Sequence, residues 1–246
     1  VAERAAELER LFMCGTGRRL DLSNPKTFNE KMQWLKLYGE SDLRARLIDK
    51  VIAREWVAEK VGEKYVVPML GVWDSFDEID FDSLPDRFAL KCNHGAGYNI
   101  IVHDKSNLDL ANAKVKVDEW MGENYAYGHM MELQYEHIAP KVFAEEYMEN
   151  AGGDIYDYKI YCYDGEPLYT QFLCDRATGL RMAYFDNEWN KQTFRYSQHA
   201  LIDENIECPE NFDEMLDVAR ALSEGWPFVR VDLYRLDDGT IKFGEM

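Results

Sequence analysis

Cysteine is scarce in this chain and carries no pattern. The five residues Cys14, Cys92, Cys162, Cys174 and Cys208 contain no C-x-x-C spacing, which argues against a zinc site or a disulfide framework. It predicts mostly buried structural thiols in a reducing compartment, the cytoplasm. Long hydrophobic runs are missing as well. The longest apolar stretch, residues 65–73, is cut by Pro68 and Gly71 and falls well short of the roughly 20 residues that a membrane-spanning helix needs. Positive charge is in deficit: 28 Lys and Arg stand against 46 Asp and Glu, a formal net charge of −18. That balance opposes non-specific binding to nucleic acid or anionic lipid, so a polyphosphate ligand would require a local cluster of cations. The amino end, VAERAAELER, lacks the basic patch and apolar core of a signal peptide. Internal repeats, low-complexity tracts and an obvious flexible linker are absent, and no Ser-His-Asp or Cys-His arrangement is supported by spacing.

What is present is enough apolar content, 46% of 246 residues, to bury a core in one large domain or two modest ones. The stretch 1–64 reads as helices. Thr27-Phe28-Asn29-Glu30 has the S/T-x-x-E form of a capping box, and Phe28, Met32 and Leu35 follow at the spacing of one buried helix face. A second helix is predicted over 42–60, where Leu43, Leu47, Ile48, Val51, Ile52 and Trp56 make an apolar stripe that stops at Gly62. From residue 65 the texture changes to short apolar runs cut by Gly, Pro, Asp and Asn. These runs predict strands over 65–70, 88–92, 100–103 and 141–148, with a helix over 108–121. A hairpin joins 155–163 to 168–173 through Asp164-Gly165, a pair that favours a primed turn. A helix over 211–223 follows, then a hairpin of 228–236 with 241–245 around Asp238-Gly239. Helices followed by mixed strands with few helices indicate α+β.

Several residues could carry chemistry. Lys91 ends a strand and is followed at once by the small-residue loop Asn93-His94-Gly95-Ala96-Gly97-Tyr98-Asn99, an arrangement that places an ammonium and backbone N–H groups around one point and suits phosphate oxygens. The same segment also reads as a plain hairpin turn with a solvated lysine. Asp232 and Glu245 lie in strands paired through the last turn, where two carboxylates repel unless a cation lies between them; oxygen ligation of that kind suits Mg²⁺ shared with phosphate. Arg230 points to the face of Asp232, and Asp157 to that of Lys159, by the period of two in a strand. An exposed ion-pair ladder would explain all four. Arg176 and Arg181 flank the turn Thr178-Gly179, Glu145 and Glu146 end an apolar strand, and His94 as a lone histidine is more often a loop hydrogen-bonder than a general base.

The order of these segments carries a resemblance. Asp49-Lys50, Phe88-Ala89-Leu90-Lys91 with its glycine loop, Ala144-Glu145-Glu146-Tyr147-Met148, Asp157-Tyr158-Lys159, Arg230-Val231-Asp232 and Phe243-Gly244-Glu245 together resemble the ATP-grasp enzymes. Segments 24–37, 71–84, 91–99 and 227–245 resemble the TupA-like branch, linked to teichuronopeptide and other cell-surface polysaccharide biosynthesis and often labelled glycosyltransferase. The resemblance implies an α+β ATP-grasp fold of two subdomains gripping ATP: a helical segment 1–64, a small subdomain 65–146 with the glycine loop, and a large subdomain 147–246 with the metal site. The family places Asn two residues beyond its second acidic ligand; this sequence ends at Met246, one residue short, so the large subdomain is expected to be truncated.

The resemblance also implies roles. Lys91 matches the strand lysine on the α- and β-phosphates, and Lys50 the upstream lysine that assists it. His94, Gly95, Ala96, Gly97, Tyr98 and Asn99 match the loop that closes over the β- and γ-phosphates. Glu145, Glu146, Tyr147 and Met148 match the strand that binds adenine, with Glu149 or Asp157 as a ribose partner. Lys159 matches a basic position facing the triphosphate or product, and Arg176 and Arg181 add to the cations offsetting the charge of ATP. Asp232 and Glu245 match the Mg²⁺ ligands, and Arg230 the arginine that steadies the transferred phosphoryl group. The implied activity is an ATP- and Mg²⁺-dependent ligase joining a carboxylate, a uronic acid or an amino acid, to an amine. Two other readings stand beside it: a nucleotide-sugar transferase using Asp80-Phe81-Asp82 as a D-x-D pair, and a non-catalytic ATP-binding module.

Overall fold

The computed structural model describes residues 2–39, 42–128, 131–176, 178–194 and 199–246. Contacts divide the chain into two compact units, Val1–Ile52 with Leu70–Ala144 and Ala53–Met69 with Glu145–Met246. Both helices and sheets are present, as an α+β fold requires.

In the first unit, α1 (Ala2–Thr16) buries Leu8 and Phe12 against Leu20, Met131 and Leu133. Helix α2 (Phe28–Tyr38) begins on the expected capping box: the Thr27 hydroxyl accepts the Glu30 N–H at 3.3 Å, and the Glu30 carboxylate accepts the Thr27 N–H at 2.8 Å. Its expected buried face is only half-buried at Met32 and Leu35, and Phe28 is 40% exposed. A helical period reports amphipathicity and says nothing about whether a neighbour arrives to cover the stripe. The single helix expected over 42–60 is two, α3 (Asp42–Leu47) and α4 (Lys50–Val61). The break has a local cause, since the Asp49 carboxylate accepts the Val51 N–H at 2.9 Å and the Ile52 N–H at 3.4 Å and so starts a new helix.

Strands β1 (Met69–Trp73), β2 (Phe88–Cys92), β3 (Asn99–Val102) and β4 (Val142–Glu146) form a sheet in the order β1-β4-β2-β3. The strand expected over 65–70 starts later because Glu63–Tyr65 is a 3₁₀ turn, and Pro68, which has no N–H to offer a ladder, accepts the Glu146 N–H at 3.0 Å through its carbonyl. Strands β2 and β3 are antiparallel with Lys91 opposite Asn99. Helix α5 (Leu110–Gly122), capped by Asp109 on the Asn112 N–H at 3.0 Å, packs Ala113 and Val117 on Phe88, Leu90 and Val142. The short α6 (Tyr125–Gly128) follows it.

The second unit holds β5 (Tyr156–Tyr163), β6 (Glu166–Cys174), β7 (Arg181–Phe185), β8 (Ala200–Leu201), β9 (Phe228–Arg235) and β10 (Ile241–Glu245), ordered β10-β9-β5-β6-β7-β8. The β5–β6 hairpin turns on Asp164 at φ 52° and Gly165 at φ 80°, the two positive values that a type I′ turn requires. Strands β7 and β8 lie outside the sequence expectation, being five and two residues long and set among turns. Helix α7 (Phe212–Ser223) packs on β5, β6 and β9, taking the side of the sheet that carries Ile160, Cys162, Val229 and Val231, all buried. The opposite side of β5 and β9 therefore carries Asp157, Lys159, Tyr161 and Tyr163 beside Tyr234, Asp232, Arg230 and Phe228.

Cys92, Cys162 and Cys174 are buried, and burial pushes the first two thiols up to about 12 and about 11. They are the inert structural thiols that their spacing predicts. Cys14 and Cys208 are exposed. Among the described residues no helix is long and apolar enough to cross a membrane.

Candidate active site

In the first unit the chemistry gathers at the turn between β2 and β3. Phe88, Leu90 and Cys92 are fully buried, so the strand is anchored on both sides of half-buried Lys91, opposite Asn99 at the loop's far end. The turn is held by Asn93, the first residue of the loop. Its amide N–H groups donate to Asp49 at 2.9 Å and to the Ala139 carbonyl at 3.1 Å, its side-chain oxygen accepts the Lys141 N–H at 2.7 Å, and its backbone carbonyl accepts the Lys50 N–H at 3.3 Å. Lys50 also donates its ammonium to the Gly95 carbonyl. Lys50 is thus tied to the loop, which Lys91 enters from β2.

His94 is the loop hydrogen-bonder that a lone histidine is expected to be. It is buried, with Nε2 at 2.7 Å from the Trp120 carbonyl and Nδ1 at 3.3 Å from Asn93, so its side chain serves the fold of the loop. Burial holds its pKa below the usual histidine value, the bond to Trp120 offsetting only part of the effect. The unfolded chain therefore takes up a proton as pH falls below about 6.5, the ordinary value, while the folded chain resists, so stability falls with pH from there down to the lowered folded value. Melting temperature should drop between pH 7.5 and 5.5, and His94→Gln should make that drop smaller.

Gly95 is packed so closely that a Cβ there would lie 2.5 Å from the Tyr98 ring and 2.7 Å from the Tyr125 ring. Those rings are held in place: Tyr98 stacks on Trp120 at 5.3 Å and donates its hydroxyl to Glu123. Ala96 and Gly97 are exposed at the tip, with Gly97 at φ 77°. Gly95→Ala is expected to cost about 1–3 kcal/mol by overpacking, read as a lower denaturant midpoint, whereas Ala96→Ser should cost nothing measurable.

In the second unit, Glu145 is buried and ion-paired with Arg54, which also donates to the Val67 carbonyl. Burial pushes the Arg54 guanidinium down to about 10, so it stays charged at neutral pH. Beyond Glu145 the chain becomes accessible: Glu146 is exposed, Tyr147 and Met148 are half-buried, and the Tyr147 hydroxyl donates to Glu149 at 2.9 Å. Arg54 had no signal in the sequence, because it falls next to the buried positions of α4 and looks like one more surface arginine.

On the open side of β5, β9 and β10 the charged residues converge. Asp232 is 1% exposed and accepts from Arg230 at 2.6 and 2.7 Å and from the Lys159 ammonium. Lys159 is also 3.1 Å from Asp157, which takes a second cation, Arg176, on the same oxygen. The other Asp157 oxygen is buried with no donor among the described residues. Glu245 stands opposite Asp232 because a β-bulge shifts the register between Phe243 and Glu245. Gly244 fits that bulge where a Cβ would lie 3.2 Å from the Asp232 carbonyl oxygen. The Glu245 carboxylate is 3.7 Å from Arg230.

Burial drives Asp157 toward its neutral form, Lys159 and Arg176 offsetting this only in part. Burial opposes ionisation of Asp232 too, but Arg230 and Lys159 outweigh it and hold its pKa below the carboxylate range. The two neighbouring carboxylates are thus shifted in opposite directions. Arg181 stands apart, its described partners being Asp175 at 2.6 Å and Glu204. Asp80 and Asp82 form a 3₁₀ turn in which Asp80 accepts the Asp82 N–H at 3.2 Å.

A carboxylate pair fits Mg²⁺, which is usually bound by one or two carboxylates and completed by substrate phosphates and water. Among the described residues no group of three or more His, Cys, Asp or Glu side chains is placed to hold a metal by itself.

Comparison with solved structures gives an L-amino acid ligase from Bacillus licheniformis, 12% identical with a TM-score of 0.54, over 100% of this chain and 54% of that one. It also gives a D-alanine–D-alanine ligase from Bacillus anthracis complexed with ATP, 17% identical with a TM-score of 0.48, over 86% of this chain and 60% of that one. The chain thus spans less than two thirds of the length of either. No curated protein matches. The likeness to the L-amino acid ligase is one of fold, and the match of residues 30–246 to the TupA-like ATPgrasp family model takes in both units: this chain belongs to the TupA-like ATP-grasp family.

Proposed function

We propose that the protein is an ATP- and Mg²⁺-dependent carboxylate–amine ligase that forms an amide through an acylphosphate, in cell-surface polysaccharide or peptide-polymer biosynthesis, with a uronic acid or an amino acid as the carboxylate. The observation that carries this reading is the Asp232–Glu245 pair, two strand carboxylates brought face to face by a bulge and bracketed by Arg230 and Lys159. Asp232 and Glu245 would hold Mg²⁺, whose chemistry is to neutralise charge on the transferred phosphoryl group. In a chain of net charge −18, ATP needs local cations: Lys159, Arg176 and Arg230 gather in the second unit, and the family resemblance adds Lys50 and Lys91 as phosphate lysines.

Backbone groups of Glu146, Tyr147 and Met148 take the adenine. The unpaired buried oxygen of Asp157 accepts a ribose hydroxyl. The exposed tip of the glycine loop covers the phosphates, excluding water from the acylphosphate. Arg230 stabilises the oxyanion that forms when the amine attacks. No protein nucleophile is needed. Nucleotide-sugar transfer has weaker support, because Asp80 is spent capping its own turn.

ADP release, measured with Mg-ATP and a panel of amino acids and uronic acids, tests the reading. Turnover should require both a carboxylate and an amine and should fall at least about 100-fold in Lys91→Ala. Sugar transfer without ATP, or tight ATP binding with no turnover on any pair, would sink it.

A further inference from the structure

Helix α2 contains no buried residue. Its Leu37 packs against the cluster of Leu8, Phe12 and Leu20, and an exposed stripe runs along another side: Lys31, Trp34 and Tyr38, at i, i+3 and i+7. Trp34 is 37% and Tyr38 48% exposed, and their rings lie against each other with centroids 5.3 Å apart. The stripe covers two helical turns, about 10 Å. Basic residues gather at its amino end. Arg18, Arg19 and Lys26 are exposed on the connection from α1, and Arg18 lines one cavity with Thr27 and Phe28 where α2 begins. Among the described residues, Arg18, Arg19 and Lys31 form no ion pair. The carboxylates of this segment are engaged by backbone: Asp21 accepts the Ser23 and Asn24 N–H groups, and Glu30 those of Lys26 and Thr27.

The acidity of the chain is unevenly distributed. Residues 1–52 hold ten Lys and Arg against eight Asp and Glu, whereas the remaining residues hold 18 against 38, so the whole excess of acid lies beyond residue 52. At physiological salt a surface charge is felt over about 8 Å. An approaching surface therefore responds to the cations beside α2 and much less to the net charge of the molecule. Trp and Tyr are the side chains suited to a boundary between water and hydrocarbon, because each has a large apolar ring and one polar group at its edge. A helix face that carries them next to Lys and Arg matches the chemistry of an anionic phospholipid surface.

We propose that this side of α2 is a docking surface for an anionic lipid bilayer: Arg18, Arg19, Lys26 and Lys31 meet the phosphates, and Trp34 and Tyr38 enter the headgroup layer. The helix lies along the surface and does not cross it. Two observations favour lipid over a second copy of the chain. The stripe is three side chains wide of any partner's need, since a stable protein interface takes about 20–30 residues a side, whereas interfacial insertion takes a few. A two-fold contact through α2 would also bring the same cations together, with Asp21 and Glu30 already engaged by their own backbone. The proposal is independent of the ligase reading.

Co-sedimentation of the chain with vesicles decides it, comparing phosphatidylcholine alone with an equimolar mixture of phosphatidylcholine and phosphatidylglycerol. The mixed vesicles should bind at least about tenfold more tightly at low salt, and high salt should remove most of that gain. Lys31→Glu should weaken binding at least about fivefold and Trp34→Ala about 3–10-fold. Both are surface positions, so melting temperatures within about 2 °C of the native chain would show that the variants fold. Lys116→Glu, the same charge change at an exposed position of α5, should leave binding intact. Trp34→Phe should keep most of the binding but lose part of the tryptophan quenching by a nitroxide-labelled lipid. Equal binding to both vesicles, binding to neither, undiminished binding by Lys31→Glu and Trp34→Ala, or an equal loss in Lys116→Glu overturns the proposal. A dimer in sedimentation velocity that Trp34→Ala dissociates assigns the stripe to a second copy and overturns it as well.

Discussion

Asp232→Asn is expected to stop ATP turnover and to lower the melting temperature in the same protein. The substitution keeps the shape and removes the charge. Loss of one electrostatic group aimed at developing charge costs on the order of 10²–10³ in rate, and here the group lost is also one of the two proposed Mg²⁺ ligands. The stability loss has a separate origin. Arg230 and Lys159 both end on Asp232, so the amide leaves two cations without their main counter-charge. Removing one partner of a buried pair costs about 3–5 kcal/mol, and a domain of this size loses about 2–4 °C per kcal/mol. A fall on the order of 10 °C follows, partly relieved by Asp157 and Glu245. The pKa of Asp232 is lowered in the fold, so its contribution is fully present above the ordinary value of about 3.9 and is lost as pH falls through the folded value. Asp232→Asn should therefore flatten the acid limb of the stability curve as well as lower its plateau.

Arg54→Met should be the most destabilising single substitution away from the charged cluster. It takes the guanidinium away from the buried Glu145 carboxylate and from the Val67 carbonyl, at a cost of about 3–5 kcal/mol by the same reasoning. Arg54→Met with Glu145→Met should recover most of that loss, because exchanging a whole buried pair for apolar residues is often neutral or better. Chemical denaturation of the two single variants and the double variant gives the coupling directly. Additive losses would mean that the pair does not act as a unit.

Those two pairs show how much could be read in advance. Asp232 and Arg230 were legible because strand periodicity puts them on one face and the Asp238-Gly239 turn pairs their strand with that of Glu245. The extra residue of the bulge was not legible, yet it brings Glu245 opposite Asp232. Arg54 escaped altogether, and Asn93 was read as part of the loop without its role in holding the turn. Each acts on residues distant in sequence, Arg54 on Glu145 and Asn93 on Asp49 and Lys141, and a polar residue that becomes buried looks, in sequence, like one that stays on the surface. The His94 ring bonds the Trp120 carbonyl, as expected of a lone histidine in a loop.

By itself the sequence determined what depends on near neighbours: the capping box at Thr27, the Asp164-Gly165 hairpin, the alternation along β5 and β9, the shortage of cations that any ATP site must offset locally, and the ordered motifs that carry the family resemblance. Tertiary structure alone decided which amphipathic faces are covered, where 42–60 breaks, and which buried polar groups find partners. The division follows from the range of the forces. Turn and cap energies are set by a few consecutive residues, whereas the ionisation of Asp157 and Asp232 depends on desolvation and on cations contributed by β5, β9 and the segment after β6, a sum that exists only once the chain has folded.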